Sequence, residues 1–145
     1  MTLAARGVFL TIAVLAVAGM AVSSVSLYHH FQTSKTDYCD YGETFNCDIV
    51  NRSVYSTIFG IPVALIGILG YAAIGVLSTL YRDRGDTPKV MLAASVAGLS
   101  FALYLTYIEG FVLGTWCILC LSSLTVIVLI TVLASFLVAQ AMRGT

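Results

Sequence analysis

Charge is what this sequence has least of. Lys, Arg, Asp and Glu make up 10% of its 145 residues, where a soluble domain carries about 25%. Not one of them occurs between Gly110 and Met142. With 59% hydrophobic residues and a mean hydropathy of +0.98, this scarcity excludes an ordinary soluble domain. Cysteine is scarce too, at four residues, and so each thiol carries weight. No internal repeat, low-complexity run, or haem, flavin or iron–sulfur signature is present. No nucleic-acid partner is expected.

What the chain does have is four windows without charge: Gly7–Ser34, Ser53–Tyr81, Val90–Ile108 and Gly110–Met142. Each is long enough for a membrane-spanning helix, which needs about 20 apolar residues. Trimming their polar ends predicts helices near 8–28, 58–80, 90–109 and 116–140. The expectation is an all-α integral membrane protein, a single four-helix bundle over residues 1–145. The run from Val8 to Leu27 exceeds the usual apolar core of a signal peptide, about 7–15 residues, so it reads as a span. No room remains for a soluble domain, which places any soluble partner in trans.

Lys and Arg in short loops orient such a bundle. Arg6, Arg82, Arg84, Lys89 and Arg143 fall on one side, and Lys35 and Arg52 on the other. Both termini are therefore expected in the cytoplasm. The loop over 29–57 and the turn over 110–115 face outward. All four cysteines, Cys39, Cys47, Cys117 and Cys120, then lie in the outer half, where an even count favours disulfide chemistry.

The outer loop carries one thiol pair, in "YCDYGETFNCD". The segment after it, "IVNRSVYSTIFGIP", is expected to form a short amphipathic half-helix at the interface. Pro62 would fall in the first turns of the second span, where a missing N–H costs little. The second thiol pair, in "WCILC", opens the last span. Cys117 and Cys120, at i and i+3, share one helix face, and their spacing suits a disulfide. Free N–H groups at a helix start stabilise a thiolate.

Two thiols on a loop beside a second pair suggest a relay through mixed disulfides. The helix pair needs a two-electron acceptor, and a bilayer-dissolved quinone fits best. Two other uses of the cysteines stay open. One is a zinc site built from all four, and the other is a pair of purely structural disulfides. His29 and His30 end the first span, where solvation at the interface is a simpler role than proton handling. Glu109 ends the third, and is balanced between the headgroup layer and a functional role. Trp116, Tyr38, Tyr41, Tyr55, Tyr104 and Tyr107 read as an aromatic belt.

The order of these motifs, C-x7-C in the first outer loop, then "NRSVYSTIFGIP", then "WCILC" opening the last helix, resembles the vitamin K epoxide reductase family. It is closest to the microbial members that oxidise protein thiols. The resemblance implies four helices around a quinone of the menaquinone or ubiquinone type, capped by the loop and half-helix. It implies that Cys117 and Cys120 form the active-site disulfide, with Cys120 nearest the quinone. Cys47 would attack Cys117, and Cys39 would meet the partner. Ser53 and Phe59 match pocket residues, with Ser56 and Asn51 as further candidates. Many members carry a fused thioredoxin-like domain, whereas this chain stops at Thr145, so a separate thioredoxin-fold protein is the expected partner. Vertebrate members have a tyrosine four residues after the second helix cysteine. Leu124 stands there, which weighs against epoxide reduction and leaves plain quinone reduction.

Overall fold

The computed structural model describes residues 2–31 and 54–144. Four helices pack side by side: α1 (Leu3–Phe31), α2 (Val63–Thr79), α3 (Thr87–Tyr107) and α4 (Ile118–Arg143). In chain order they form a ring, with α1 against α2 and α4, and α3 against the same two. Chain alternation brings the start of α1, the turn after α2 and the end of α4 to one end of the bundle. Arg6, Arg82, Arg84, Lys89 and Arg143 gather there. The other end holds His29–Phe31, the start of α2, the end of α3 and the cysteine pair of α4.

Apolar residues cover these helices on all sides, because one side packs inward and the other does not. The inward stripe of α1 is Phe9, Ile12, Ala16, Gly19, Ser23, Ser26 and His29, a three- and four-residue spacing that keeps one face turned to the bundle. Ile127, Ile130, Ala134 and Leu137 do the same on α4. With Tyr71, Ile74 and Met91 they close a dry core in the basic half of the bundle. Outward, Leu10, Val14, Val17, Leu69, Leu103, Val132 and Phe136 are exposed, far more apolar surface than a water-facing helix bundle shows. Leu3–Phe31, Thr87–Leu113 and Ile118–Arg143 are long and apolar enough to cross a membrane. α2, at 17 residues, is apolar but shorter. This is a multi-pass membrane protein.

Glycine lets the helices approach. A side chain at Gly19 would run into the ring of Tyr71, and one at Gly67 would lie 2.9 Å from the Ser23 hydroxyl. The Tyr71 hydroxyl then reaches across to α4, 2.9 Å from the Ser123 carbonyl and 2.8 Å from its Oγ.

Every helix differs by a few residues from the sequence expectation, and two of the differences shape the site. The second helix starts at Val63, not 58, because Thr57–Ile58 and Ile61–Pro62 pair as a small antiparallel hairpin. Its two turn residues, Phe59 (φ 52°) and Gly60 (φ 80°), both sit at positive φ, as a tight two-residue hairpin turn requires. Pro62 therefore precedes the helix, with φ −60° and ψ 134°, rather than lying inside it. The third helix continues past Tyr107 as a π-helical turn, Ile108–Leu113. Gly114 ends it in the left-handed region, and Thr115 N–H closes back on the Glu109 carbonyl at 3.0 Å. Of the expected half-helix, residues 54–56 form a single 3-10 turn. Residues 49–53 lie outside the described residues.

Candidate functional site

Above the dry core the inward faces turn polar and part. They enclose a cavity of about 410 Å³, lined from all four helices and the hairpin region. The walls are mostly apolar, among them Val22, Ile66, Phe101 and Leu105. Polar groups sit in two clusters. On one side are Ser23, Ser26, His30 and Ser56; on the other are Glu109, Cys120 and Ser123, with Tyr71. The size and the sparse polar lining are those of a small-molecule pocket.

The cysteine pair is set by the end of one element and the start of the next. Cys117 is the N-cap of α4, in extended conformation (φ −112°, ψ 118°), not the second residue of a helix. Its sulfur accepts the backbone N–H of Cys120 at 3.4 Å. The two cysteines are adjacent but not bonded to each other. Cys117 is fully buried, and Cys120 opens on the cavity. The Cys120 thiol also donates to the Cys117 sulfur, which brings the Cys117 thiol below its ordinary value despite the opposing effect of burial. The helix-start stabilisation expected from sequence is thus present, with the sulfur itself as the cap.

Glu109 belongs to this site. The π-helical turn carries it inward, where it is 1% exposed. Its Oε2 accepts the Cys117 backbone N–H at 3.2 Å, and it is hydrogen-bonded to the Cys120 thiol. Trp116, half-buried, lies over Gly110, so close that a side chain at Gly110 would meet its ring at 2.8 Å. Of the expected belt, Tyr104 and Tyr107 face outward.

Among the pocket residues expected from sequence, Ser56 lines the cavity, 3.2 Å from His30 Nδ1. Phe59 does not. At the tip of the hairpin its side chain is fully exposed, and the positive φ that makes the turn aims it away from the cavity. Cys39, Cys47, Asn51 and Ser53 lie outside the described residues. Among the described residues no group of three or more His, Cys, Asp or Glu could hold a metal. The four-cysteine zinc reading also involves Cys39 and Cys47, which lie outside the described residues. His29 is buried rather than solvated at the interface, and His30 faces the cavity. Ser23, Ser26, Tyr71 and Ser123 were not singled out from sequence. For the first two the signal was there, in the three-residue steps Ser23, Ser26, His29 on the inward stripe.

No curated protein matched the chain in a whole-sequence comparison. The profile of the vitamin K epoxide reductase family matches residues 10–135. That match runs from the first turns of α1 through most of α4, and so takes in the cavity, Glu109 and both helix cysteines. The chain belongs to the vitamin K epoxide reductase family, a family of membrane oxidoreductases.

Proposed function

We propose that this protein is a membrane thiol:quinone oxidoreductase that reoxidises a separate thioredoxin-fold protein outside the cytoplasm and so sustains disulfide formation. The observation that carries this reading is the position of Cys120. It is one turn into α4, beside Cys117, with its side chain on an apolar cavity of about 410 Å³. A quinone head is flat and apolar with a carbonyl at each end. Apolar walls between two polar clusters suit that shape.

In this reading all four helices cross the bilayer. α2, at 17 residues and about 1.5 Å each, is at the short end of what a membrane accepts. The basic end of the bundle faces the cytoplasm, following the charge bias of short loops. The loop that carries Cys39 and Cys47 lies outside.

The reaction is a chain of exchanges. The partner's thiolate attacks a Cys39–Cys47 disulfide at Cys39. Freed Cys47 attacks Cys117 and releases Cys120. Phe101 and the apolar walls would orient a quinone ring and keep water away, while Ser56 and His30 would hold an oxygen of it. The partner's second thiol then displaces Cys39, and Cys39 attacks Cys47 and frees Cys117. Cys117 and Cys120, both now thiols, re-form their bond, and the electron pair would pass from Cys120 to the acceptor in the cavity. When bound, the quinone supplies the two-electron sink.

The test is quinol formation by protein purified in detergent, with a dithiol as donor and Cys120→Ser as control. Turnover that disappears in Cys120→Ser supports the reading. A folded wild-type protein inactive with both menaquinone and ubiquinone analogues overturns it.

A further inference from the structure

Glu109 is the buried acid, among the described residues, that the relay leaves without a task. It is almost fully buried, and of its two carboxyl oxygens only one has a clear backbone partner. Oε2 holds the Cys117 N–H at 3.2 Å. Oε1 is buried and, among the described residues, has no hydrogen-bond partner. No described cation pairs with the carboxyl. A burial of this kind is costly for an acid that serves only as a strap. A strap needs one acceptor oxygen, and an amide or a backbone carbonyl would serve. The carboxyl also borders the cavity, and it touches the thiol that faces the acceptor.

We infer that Glu109 is a catalytic proton carrier between the Cys120 thiol and the quinone oxygen nearest it. The inference rests on the thiol:quinone reading above. Cys117 and Cys120 begin as thiols and end as one disulfide, giving up two electrons and two protons. The electron pair passes from the Cys120 sulfur to the quinone. The Cys120 proton passes to the Glu109 carboxylate and from there to the near quinone oxygen, which leaves Glu109 ready for the next cycle. The Cys117 proton exchanges with solvent, and a solvent proton completes the second hydroxyl of the quinol. The backbone bond from Cys117 to Oε2 keeps the carboxyl aimed during this traffic. Oε1, with no hydrogen-bond partner among the described residues, leaves the carboxyl an oxygen on which to hold that proton.

Glu109→Gln separates the two roles, because the amide still accepts from Cys117 N–H but carries no proton onward. The assay uses the full chain in detergent, with dithiothreitol and short-chain ubiquinone and menaquinone analogues. Removal of a positioned acid–base group costs about 100-fold or more, so kcat should fall by about that factor while KM for the quinone stays within about threefold. Glu109→Asp, one methylene shorter but still an acid, should recover part of the loss. A second readout does not depend on turnover. The infrared difference between oxidised and dithiol-reduced protein should contain a carboxyl band that shifts in Glu109→Asp and is missing in Glu109→Gln. If Glu109→Gln does not fold, that band in wild type and Glu109→Asp decides. A Glu109→Gln rate near wild type, or a difference spectrum without the carboxyl band, overturns the proton role and leaves the oxidoreductase reading standing. An inactive wild-type protein overturns both.

Discussion

The backbone N–H of Cys120 points at the sulfur of Cys117 from 3.4 Å, and the thiol of the same residue points there too. Cys117 is therefore held by two donors from one neighbour, and its anion is the favoured one of the pair. With Cys39 and Cys47 replaced by alanine, so that only the helix pair reacts, the reduced protein should react with a small disulfide with a pH midpoint below the ordinary thiol value of about 8.5. Removing the side-chain donor raises the Cys117 pKa, so Cys120→Ala should move the midpoint up. A midpoint that stays or falls in that variant means the Cys120 thiol does not stabilise the Cys117 anion.

Gly110 and Trp116 set the angle at which the chain enters α4. A Cβ on Gly110 would sit 2.8 Å from one ring carbon of Trp116 and 3.0 Å from another. The ring must move, and Cys117 is its next residue. Gly110→Ala should cost about 1–3 kcal/mol in unfolding, the usual range for overpacking. It should also slow quinol formation. Trp116→Leu should restore most of the stability in the double variant, since the clashing atoms are gone. Additive losses in the cycle would show that the two residues do not meet.

Gly70 tests the cavity without touching the cysteines. It lines the cavity, and a Cβ there meets nothing within 4 Å. Gly70→Leu should thus fold and fill part of the space. The expected result is a KM for the quinone raised about tenfold or more, with reduction of the Cys117–Cys120 disulfide by dithiothreitol unchanged. An unchanged KM would place the quinone elsewhere.

The sequence made some of this architecture plain and concealed the rest for identifiable reasons. Four charge-free runs became four helices because apolar length alone demands helical hydrogen bonding in a membrane. The WCILC motif lies at the start of the last helix as expected. Its first cysteine caps the helix, which starts at Ile118 rather than at 116 as expected. The hairpin before α2 was hidden because Phe59 takes a positive φ that Phe rarely adopts, so "TIFGIP" reads as the start of an apolar run. Glu109 was ambiguous because its direction depends on the π-helical turn. That turn shifts the 3.6-residue register by one residue, and no spacing rule announces it. Ser23, Ser26 and His29 were legible in principle, as the polar continuation of the apolar stripe Phe9, Ile12, Ala16.

The order of the relay is open to trapping. If Cys39 meets the partner and Cys47 meets Cys117, the two loop cysteines fail differently when replaced. Cys39→Ala should abolish turnover with a thioredoxin-fold donor but spare turnover with dithiothreitol, which can reduce the helix pair directly. Cys47→Ser leaves Cys39 without its loop partner, so Cys39 should attack an oxidised thioredoxin-fold partner and hold it as a mixed disulfide, because the Cys47 thiol that would displace the partner is missing. Mapping the trapped bond by peptide mass should find it on Cys39. A partner bound to Cys117 would reverse the loop roles. Equal loss with both donors in Cys39→Ala would mean that small thiols, too, must pass through the loop.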